Sequence, residues 1–301
     1  MFDDLVQISP LHASEPAGDD APWPDKLARL RDWLAPRGPV VVAYSGGVDS
    51  SVLLRVAHDV LGAGALGVIG RSDSYAQREL ELALEQAAAF GATVEVVTTG
   101  ELADPNFRSN PANRCYHCKT ELYRKLRGVA ERAGARAVVD GTIRDDVADW
   151  RPGRRAAAER GVESPLADLG FTKADVRAVA AQYGLKSAGK PASPCLASRI
   201  PYGSEITRDK LRAVENAEAA LRALGFVELR VRHLGDTARV ELALAELPRF
   251  AEPAVREAAV VAIQAEGFRF VTLDLEGFRS GKLNAALGLG AVAGPPVTKP
   301  E

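Results

Sequence analysis

The sequence predicts an α/β protein: a parallel-sheet domain followed by a second, smaller α+β domain. Three observations carry this. The stretch Pro39–Leu54 (PVVVAYSGGVDSSVLL) reads as a buried strand, a tight glycine turn and a helix. Strand and helix patterns then alternate, with strands at Ala65–Gly70 and Thr93–Thr98 around a helix from about Ala76 to Phe90. Such alternation means parallel strands joined by crossover helices. After about Ile200 the order changes to helix, strand, strand, helix, strand, which suits a compact α+β unit. The expected domains are 20–200 and 201–287, with 1–19 and 288–301 as flexible tails.

Composition narrows the class. Of 301 residues, 47% are hydrophobic and 26% charged, a globular profile. A net charge of −2 gives no bulk electrostatic case for nucleic-acid binding. The apolar runs are too short to span a membrane. The acidic start MFDDLVQISP lacks a basic segment followed by an apolar core, so no secretory signal is read and the cytoplasm is expected. In that reducing compartment, three cysteines favour metal or catalytic roles over structural disulfides.

In chain order, the leucines of Asp25–Leu34 recur at helical spacing. Val40–Tyr44 is a β-branched and aromatic run that suits an interior parallel strand. In Ser45-Gly46-Gly47, two glycines let the backbone turn sharply and approach a ligand. Val48, Asp49, Ser50 and Ser51 open the next helix, whose free N–H groups and positive dipole end make an anion site. The string SGGVDSS resembles the pyrophosphate-binding loop of the PP-loop ATP pyrophosphatases, which cleave ATP between its α and β phosphates. It is not a G-x-x-x-x-G-K-[ST] loop, since no lysine follows the glycines. The resemblance implies adenylation of a substrate with release of pyrophosphate. An ordinary strand-to-helix glycine turn is the alternative. The second strand ends at Arg71-Ser72-Asp73-Ser74. That segment and the loop at Ser45 both fall on the carboxyl edge of the sheet, where such folds bind ligands.

Asn113–Tyr123 carries a C-x-x-C, Cys115 and Cys118, on an amphipathic helix that continues to about Ala133. Ala137–Val139 is a further strand. Beyond it Arg144, Asp145, Asp146 and Asp149 crowd together, either around a magnesium ion or as a solvated turn. Arg151–Arg155 reads as a basic turn. Thr172–Asp175 has the form of a capping box with Asp in place of Glu. Lys173 and Arg177, one turn apart, either meet one phosphate or form a surface basic pair. In Lys190–Gly203 (KPASPCLASRIPYG), three prolines forbid a long helix and fix the chain path. Cys195 there sits in a rigid, basic loop, which suits a reactive thiolate. Thr207–Leu224 is an amphipathic helix. Val227–His233 and Thr237–Leu242 alternate as a hairpin, Pro248–Glu266 is helical, and Arg269–Asp274 is the last strand.

A structural zinc site takes four ligands, and a fourth cysteine is absent. His117 lies between Cys115 and Cys118, where its side chain points away from both. A 4Fe–4S cluster on three cysteines leaves one iron open to a small external ligand such as hydrosulfide. Three unrelated thiols remain the alternative.

SGGVDSS, the C-x-x-C, DGTIRDDVADWRPG, SPLADLGFTKADVR and KPASPCLASRIPYG together resemble the LarE family, with LDLEGFRSGKLN similar to its C-terminal segment. These are ATP-dependent sulfur transferases that mature the nickel-pincer nucleotide cofactor of lactate racemase. The resemblance runs from about Val40 to Asn284. It implies pyridinium-3,5-dicarboxylate mononucleotide as substrate, with each carboxylate adenylated and then converted to a thiocarboxylate. Some members sacrifice the cysteine matched by Cys195. Others hold a 4Fe–4S cluster on three cysteines, which implies Cys115, Cys118 and Cys195 as ligands here. It further implies Ser45, Gly46, Gly47, Val48, Asp49, Ser50 and Ser51 around the pyrophosphate of ATP, and Arg71 and Ser72 near adenosine. Asp49 or Asp146 would place Mg²⁺, and Lys119 would stabilise the thiol site or a substrate carboxylate. Arg199, Arg230 and Arg232 are the candidates for the nucleotide's phosphate, although Arg232 and Glu241 also have the spacing to pair across the hairpin. A homo-oligomer and an unidentified sulfide donor complete the implied picture. The competing readings are a tRNA-thiolating or amidating enzyme on the same loop, and an ATP-sensing module without turnover. The first lacks a basic face or a glutaminase domain.

Overall fold

The computed structural model describes residues 21–147, 152–191, 193–279 and 282. The expected tails, together with Asp149, Arg151 and the end of the LDLEGFRSGKLN segment, lie outside them. Four strands form a parallel sheet: β1 (Val40–Ala43), β2 (Ala65–Arg71), β3 (Thr93–Thr98) and β4 (Ala137–Asp140), in the order β3-β2-β1-β4. β1 is central and buried on both faces. Val40 and Val42 enter one core and Val41 the other, as the two-residue period of a strand requires. The first core is covered by α1 (Trp23–Leu34), α2 (Val48–Leu61), α3 (Gln77–Ala89) and, further along, α6 (Lys173–Gln182). The second is covered by α4 (Arg114–Arg132) and α5 (Pro152–Glu159). The α/β class expected from the sequence is therefore present.

The second unit contains α7 (Arg208–Ala223), β5 (Leu229–Leu234), β6 (Thr237–Leu242), α8 (Pro253–Gln264) and β7 (Phe270–Leu273). Its sheet order is β5-β6-β7, with β5 and β6 antiparallel and β6 and β7 parallel. Leu211, Val214, Ala217, Leu221, Val231, Val240 and Ile263 form its core. Leu196, Ala197 and Ile200 join the same core, and so does Phe107 from the first unit. The cysteine-bearing turn is thus anchored by apolar burial to the second unit.

Three expectations are corrected. The basic turn at Arg151–Arg155 gives way to α5, because Pro152 pre-sets the first helical φ and Ala156 and Ala157 bury against α4. Pro248–Glu266 is two helices, Leu247–Ala251 and α8, broken at Glu252 (ψ 133). A proline disfavours helical backbone in the residue before it, and Pro253 imposes that here. The first helix starts at Trp23, with proline in its first turn. The capping box forms with aspartate: Asp175 N–H donates to Thr172 Oγ1 at 3.2 Å, and Thr172 N–H donates to Asp175 Oδ2 at 2.9 Å.

Candidate active site

The glycine loop leaves β1 at Tyr44 and enters α2 at Val48. Gly46 has φ +66, and a Cβ there would lie 2.6 Å from Ala83 Cβ, so only glycine fits. Ser50 Oγ accepts from Ser45 N–H at 3.2 Å and donates to Gly47 O at 3.1 Å, while Ser51 Oγ donates to Gly47 O at 2.8 Å. These bonds hold the turn from inside. Among the described residues, no side chain caps the start of α2. Gly141, just past β4, presses against this first turn: a Cβ there would stand 2.7 Å from Ser50 N.

Asp49 is bound by Lys173, whose Nζ donates to both carboxylate oxygens at 2.7 and 2.6 Å. Burial raises the Asp49 carboxyl above its ordinary value. Lys173 opposes that rise and the neighbouring Asp146 adds to it. Asp146 Oδ2 also accepts from Ile143 N–H at 3.2 Å. The two expected ATP-side carboxylates, Asp49 and Asp146, are thus neighbours, and the helix opened by the TKAD sequence supplies the cation that pairs with Asp49. Of Lys173 and Arg177, read from the sequence either as meeting one phosphate or as a surface basic pair, Lys173 pairs with Asp49.

Arg71 ends β2 and is exposed. Ser72 and Ser74 follow it, and both hydroxyls donate to Glu101 Oε1, at 2.5 and 2.8 Å. Glu101 is 3% exposed, and its Oε2 is buried with no hydrogen-bond partner among the described residues.

The three cysteines share one neighbourhood. Cys115 is exposed on the first turn of α4, and Cys118 lies one turn on, half-buried. Cys195, also half-buried, precedes the tight turn Leu196–Arg199. Burial pushes the Cys118 thiol well up. Glu101, Cys195 and Cys115 add to this, and Lys119 opposes it. Tyr202 feels both Cys115 and Cys195. His117 turns away, its Nδ1 3.6 Å from Asp104 Oδ2. Among the described residues, no group of three or more His, Cys, Asp or Glu converges as ligands for a metal ion. A single-ion site of the zinc type needs such convergence. A cubane cluster also needs its thiolates around one centre, but spaced more widely than around a single ion, because each binds its own iron.

Two links tie the cysteines to the glycine loop, through Tyr75 and Tyr123, and a third ties Cys195's turn to the segment after β2. Tyr75 O–H donates to Ser45 O at 2.9 Å, and the same Tyr75 lines a recess with Cys195. Leu196 N–H donates to Ser74 O at 2.8 Å. Tyr123, whose titration feels Cys118, donates its hydroxyl to Asp140 at 2.8 Å, one residue before Gly141.

The expected arginines lie behind Cys195. Arg199 donates to both oxygens of Glu218 and to the carbonyls of Pro194 and Cys195. Arg232 donates to both oxygens of Glu241 at 3.0 and 2.8 Å, and to Ser198 O at 2.8 Å. The cross-hairpin pairing of Arg232 and Glu241 is therefore present. Arg230 stacks on Phe278 at 4.8 Å and donates to Leu229 O. Its pKa falls to about 10, first through burial and then through the adjacent Arg199.

Sequence reasoning passed over Glu101, Asn110, Arg114 and Glu218. Asn110 is fully buried at φ 56. Its amide donates to the carbonyls of Ile200, Pro201 and Ser204, and its oxygen accepts from Arg114 at 2.8 Å. The Asn-Pro pair at 110–111 was the signal of a turn with unusual backbone. Nothing local marks Glu101, and the local spacing of Glu218 shows only its i,i+4 pair with Arg222 and not its partner Arg199.

Fold and site define an α/β protein with a glycine loop at the end of a parallel strand, an appended small α+β unit and three cysteines near that loop. The sequence is 40% identical over 249 residues to the pyridinium-3,5-bisthiocarboxylic acid mononucleotide synthase of Lactiplantibacillus plantarum, covering 82% of this chain and 90% of the relative. The chain belongs to this family, the LarE family. It is also 46% identical over 262 residues to an uncharacterized protein of Synechocystis sp., covering 87% of this chain and 98% of the relative. A Methanocaldococcus jannaschii protein, likewise uncharacterized, is 27% identical over 258 residues, covering 85% and 98%. No family profile matches the chain.

Proposed function

We propose that the protein is an ATP-dependent sulfur transferase that converts the carboxylates of pyridinium-3,5-dicarboxylate mononucleotide into thiocarboxylates. The observation that carries this is Tyr75, which joins the glycine loop to Cys195. An adenylate made at the loop lies next to the sulfur chemistry.

Pyrophosphate of ATP rests on the loop from Ser45 to Ser51, at the uncapped end of α2. Arg71 and Ser72 flank adenosine. A substrate carboxylate attacks the α-phosphorus, and pyrophosphate leaves. Hydrosulfide sulfur then attacks the acyl carbon, AMP leaves, and the S–H proton is lost. Asp49 and Asp146 would be the carboxylates to hold Mg²⁺, which when bound would neutralise phosphate charge. Cys115, Cys118 and Cys195 hold a 4Fe–4S cluster, which when bound supplies an open iron for sulfide. The fit rests on the donor set: three thiols near enough that Cys118 feels both of the others, with Lys119 beside them to offset their charge. For the phosphate of the substrate, Arg199, Arg230 and Arg232 are the candidates: Arg199 pairs with Glu218 and Arg232 with Glu241, and Arg230 lies beside Arg199. Residues 20–200 and 201–287 act as the two domains, in a cytoplasmic homo-oligomer served by a sulfide-donating partner.

The test is anaerobic turnover of the dicarboxylate nucleotide with ATP and sulfide. Pyrophosphate, AMP and a nucleotide with oxygen replaced by sulfur are expected. Absence of pyrophosphate release with this substrate overturns the proposal.

A further inference from the structure

We propose that Arg114 is the fixed counter-cation of the cysteine site, the charge that holds anionic sulfur at Cys115 and Cys195. The proposal rests on the sulfur-transfer reading above and names the group that balances its sulfur. A guanidinium stays charged at any working pH. Arg114 is 4% exposed, yet among the described residues no carboxylate pairs with it. Its Nη1 donates to the neutral Asn110 Oδ1 at 2.8 Å, and its Nε is buried with no hydrogen-bond partner among the described residues. Its guanidinium carbon stands 4.4 Å from the centre of the Tyr202 ring. A buried charge left in this state is costly unless an opposite charge comes to it.

The carboxylates on the neighbouring segments are engaged elsewhere. Glu101 takes the Ser72 and Ser74 hydroxyls, Asp104 Oδ2 lies 3.6 Å from His117 Nδ1, and Glu205 pairs with Arg108 at 3.0 Å. The groups beside Arg114 that can turn negative are thiols. Cys115 is the next residue on α4. Tyr202, over which Arg114 lies, feels the charges of Arg114, Cys115 and Cys195 together. The Asn110 side chain that accepts from Arg114 also donates to the carbonyls of Ile200, Pro201 and Ser204, in the chain that follows Cys195. Arg114 is therefore held at the junction of the two cysteine-bearing segments. Thiolates and hydrosulfide are anions, and a fixed cation there lowers the cost of placing them in the fold. At Cys118 the Glu101 charge works the other way, so the effect belongs to Cys115 and Cys195.

The test uses reduced, cluster-free protein at pH 8 and low ionic strength. It is alkylated with iodoacetate, an anion, and with iodoacetamide, its neutral analogue, and each cysteine is read by peptide mass spectrometry. The ratio of the two rates at one cysteine cancels its thiolate fraction and its exposure, and reports the local potential. Arg114→Gln is expected to lower this ratio about two- to fivefold at Cys115 and Cys195, and Arg114→Lys to leave it near native. An unchanged ratio at either cysteine in Arg114→Gln overturns the proposal. A check on native protein needs no variant: its ratio at Cys115 should exceed that of the same cysteine in the urea-unfolded chain, and a ratio at or below that value overturns the proposal as well. If the native protein releases no pyrophosphate, the sulfur-transfer reading falls, and the alkylation ratio alone decides whether Arg114 is the counter-cation.

Discussion

The Arg199 guanidinium grips both oxygens of Glu218, at 2.8 and 3.0 Å, and donates onward to the carbonyl of Cys195 at 3.1 Å. Both side chains are 2% exposed. The pair therefore acts in a low dielectric, and removing one partner strands a buried charge. Glu218→Ala is expected to destabilise the protein by about 3–5 kcal/mol, measured by urea denaturation at pH 7. Burial alone would raise the Glu218 carboxyl, but Arg199, then Arg222 and Arg230, hold it below the ordinary value of 4.5. A lowered folded pKa means stability that is complete above the unfolded value and lost as pH falls through the folded one. The native protein should thus lose stability below pH 4.5, and Glu218→Gln should lose less over the same range.

Asn110 carries a second link, between the segment before α4 and the chain after Cys195. Asn110→Ala removes the amide bonds to three carbonyls and is expected to cost about 2–4 kcal/mol. Asn110→Gly loses the same bonds but relieves the left-handed backbone at φ 56. It should be more stable than the alanine variant by about 1 kcal/mol. Equal midpoints in urea for native and Asn110→Ala proteins would contradict the link.

Gly46→Ala combines a positive φ with a Cβ 2.6 Å from Ala83 Cβ. The loop must shift to accept it. A loss of about 1–3 kcal/mol in stability is expected. ATP affinity, measured by isothermal titration, should fall with it, and native affinity would contradict the role given to the loop.

Most of the fold was legible because its signals are local. The β-branched run at Val40, the alternation at Thr93 and the Thr172–Asp175 box each fix an element within a few residues. The helix break at Glu252 was equally local, written in Pro253, yet α8's apolar pattern reads through it. The site was legible only as residue types. SGGVDSS and the three cysteines stand out, but the bonds that aim them come from Glu218, Asn110 and Tyr75. Those partners lie 19, 90 and 30 residues away in sequence. Such pairings depend on packing between elements, and no spacing rule encodes them.

The Cys118 thiol is raised, so in cluster-free protein it stays protonated past the pH at which an ordinary cysteine ionises. The thiolate is the nucleophile. Alkylation by iodoacetamide should therefore label exposed Cys115 well before Cys118 at pH 8, read by peptide mass spectrometry. The Cys118 rate should still be climbing at higher pH. Equal rates at pH 8 would contradict the burial argument.

The central claim is that Cys115, Cys118 and Cys195 together hold a cluster that carries the sulfur. The most direct measurement is iron, acid-labile sulfide and visible absorption on protein purified without oxygen. About four irons per chain are expected, with broad absorption lost in Cys115→Ala or Cys195→Ala. A colourless, iron-free protein that still completes one turnover and emerges lighter by one H₂S would contradict it, and Cys195 itself would be the sulfur donor.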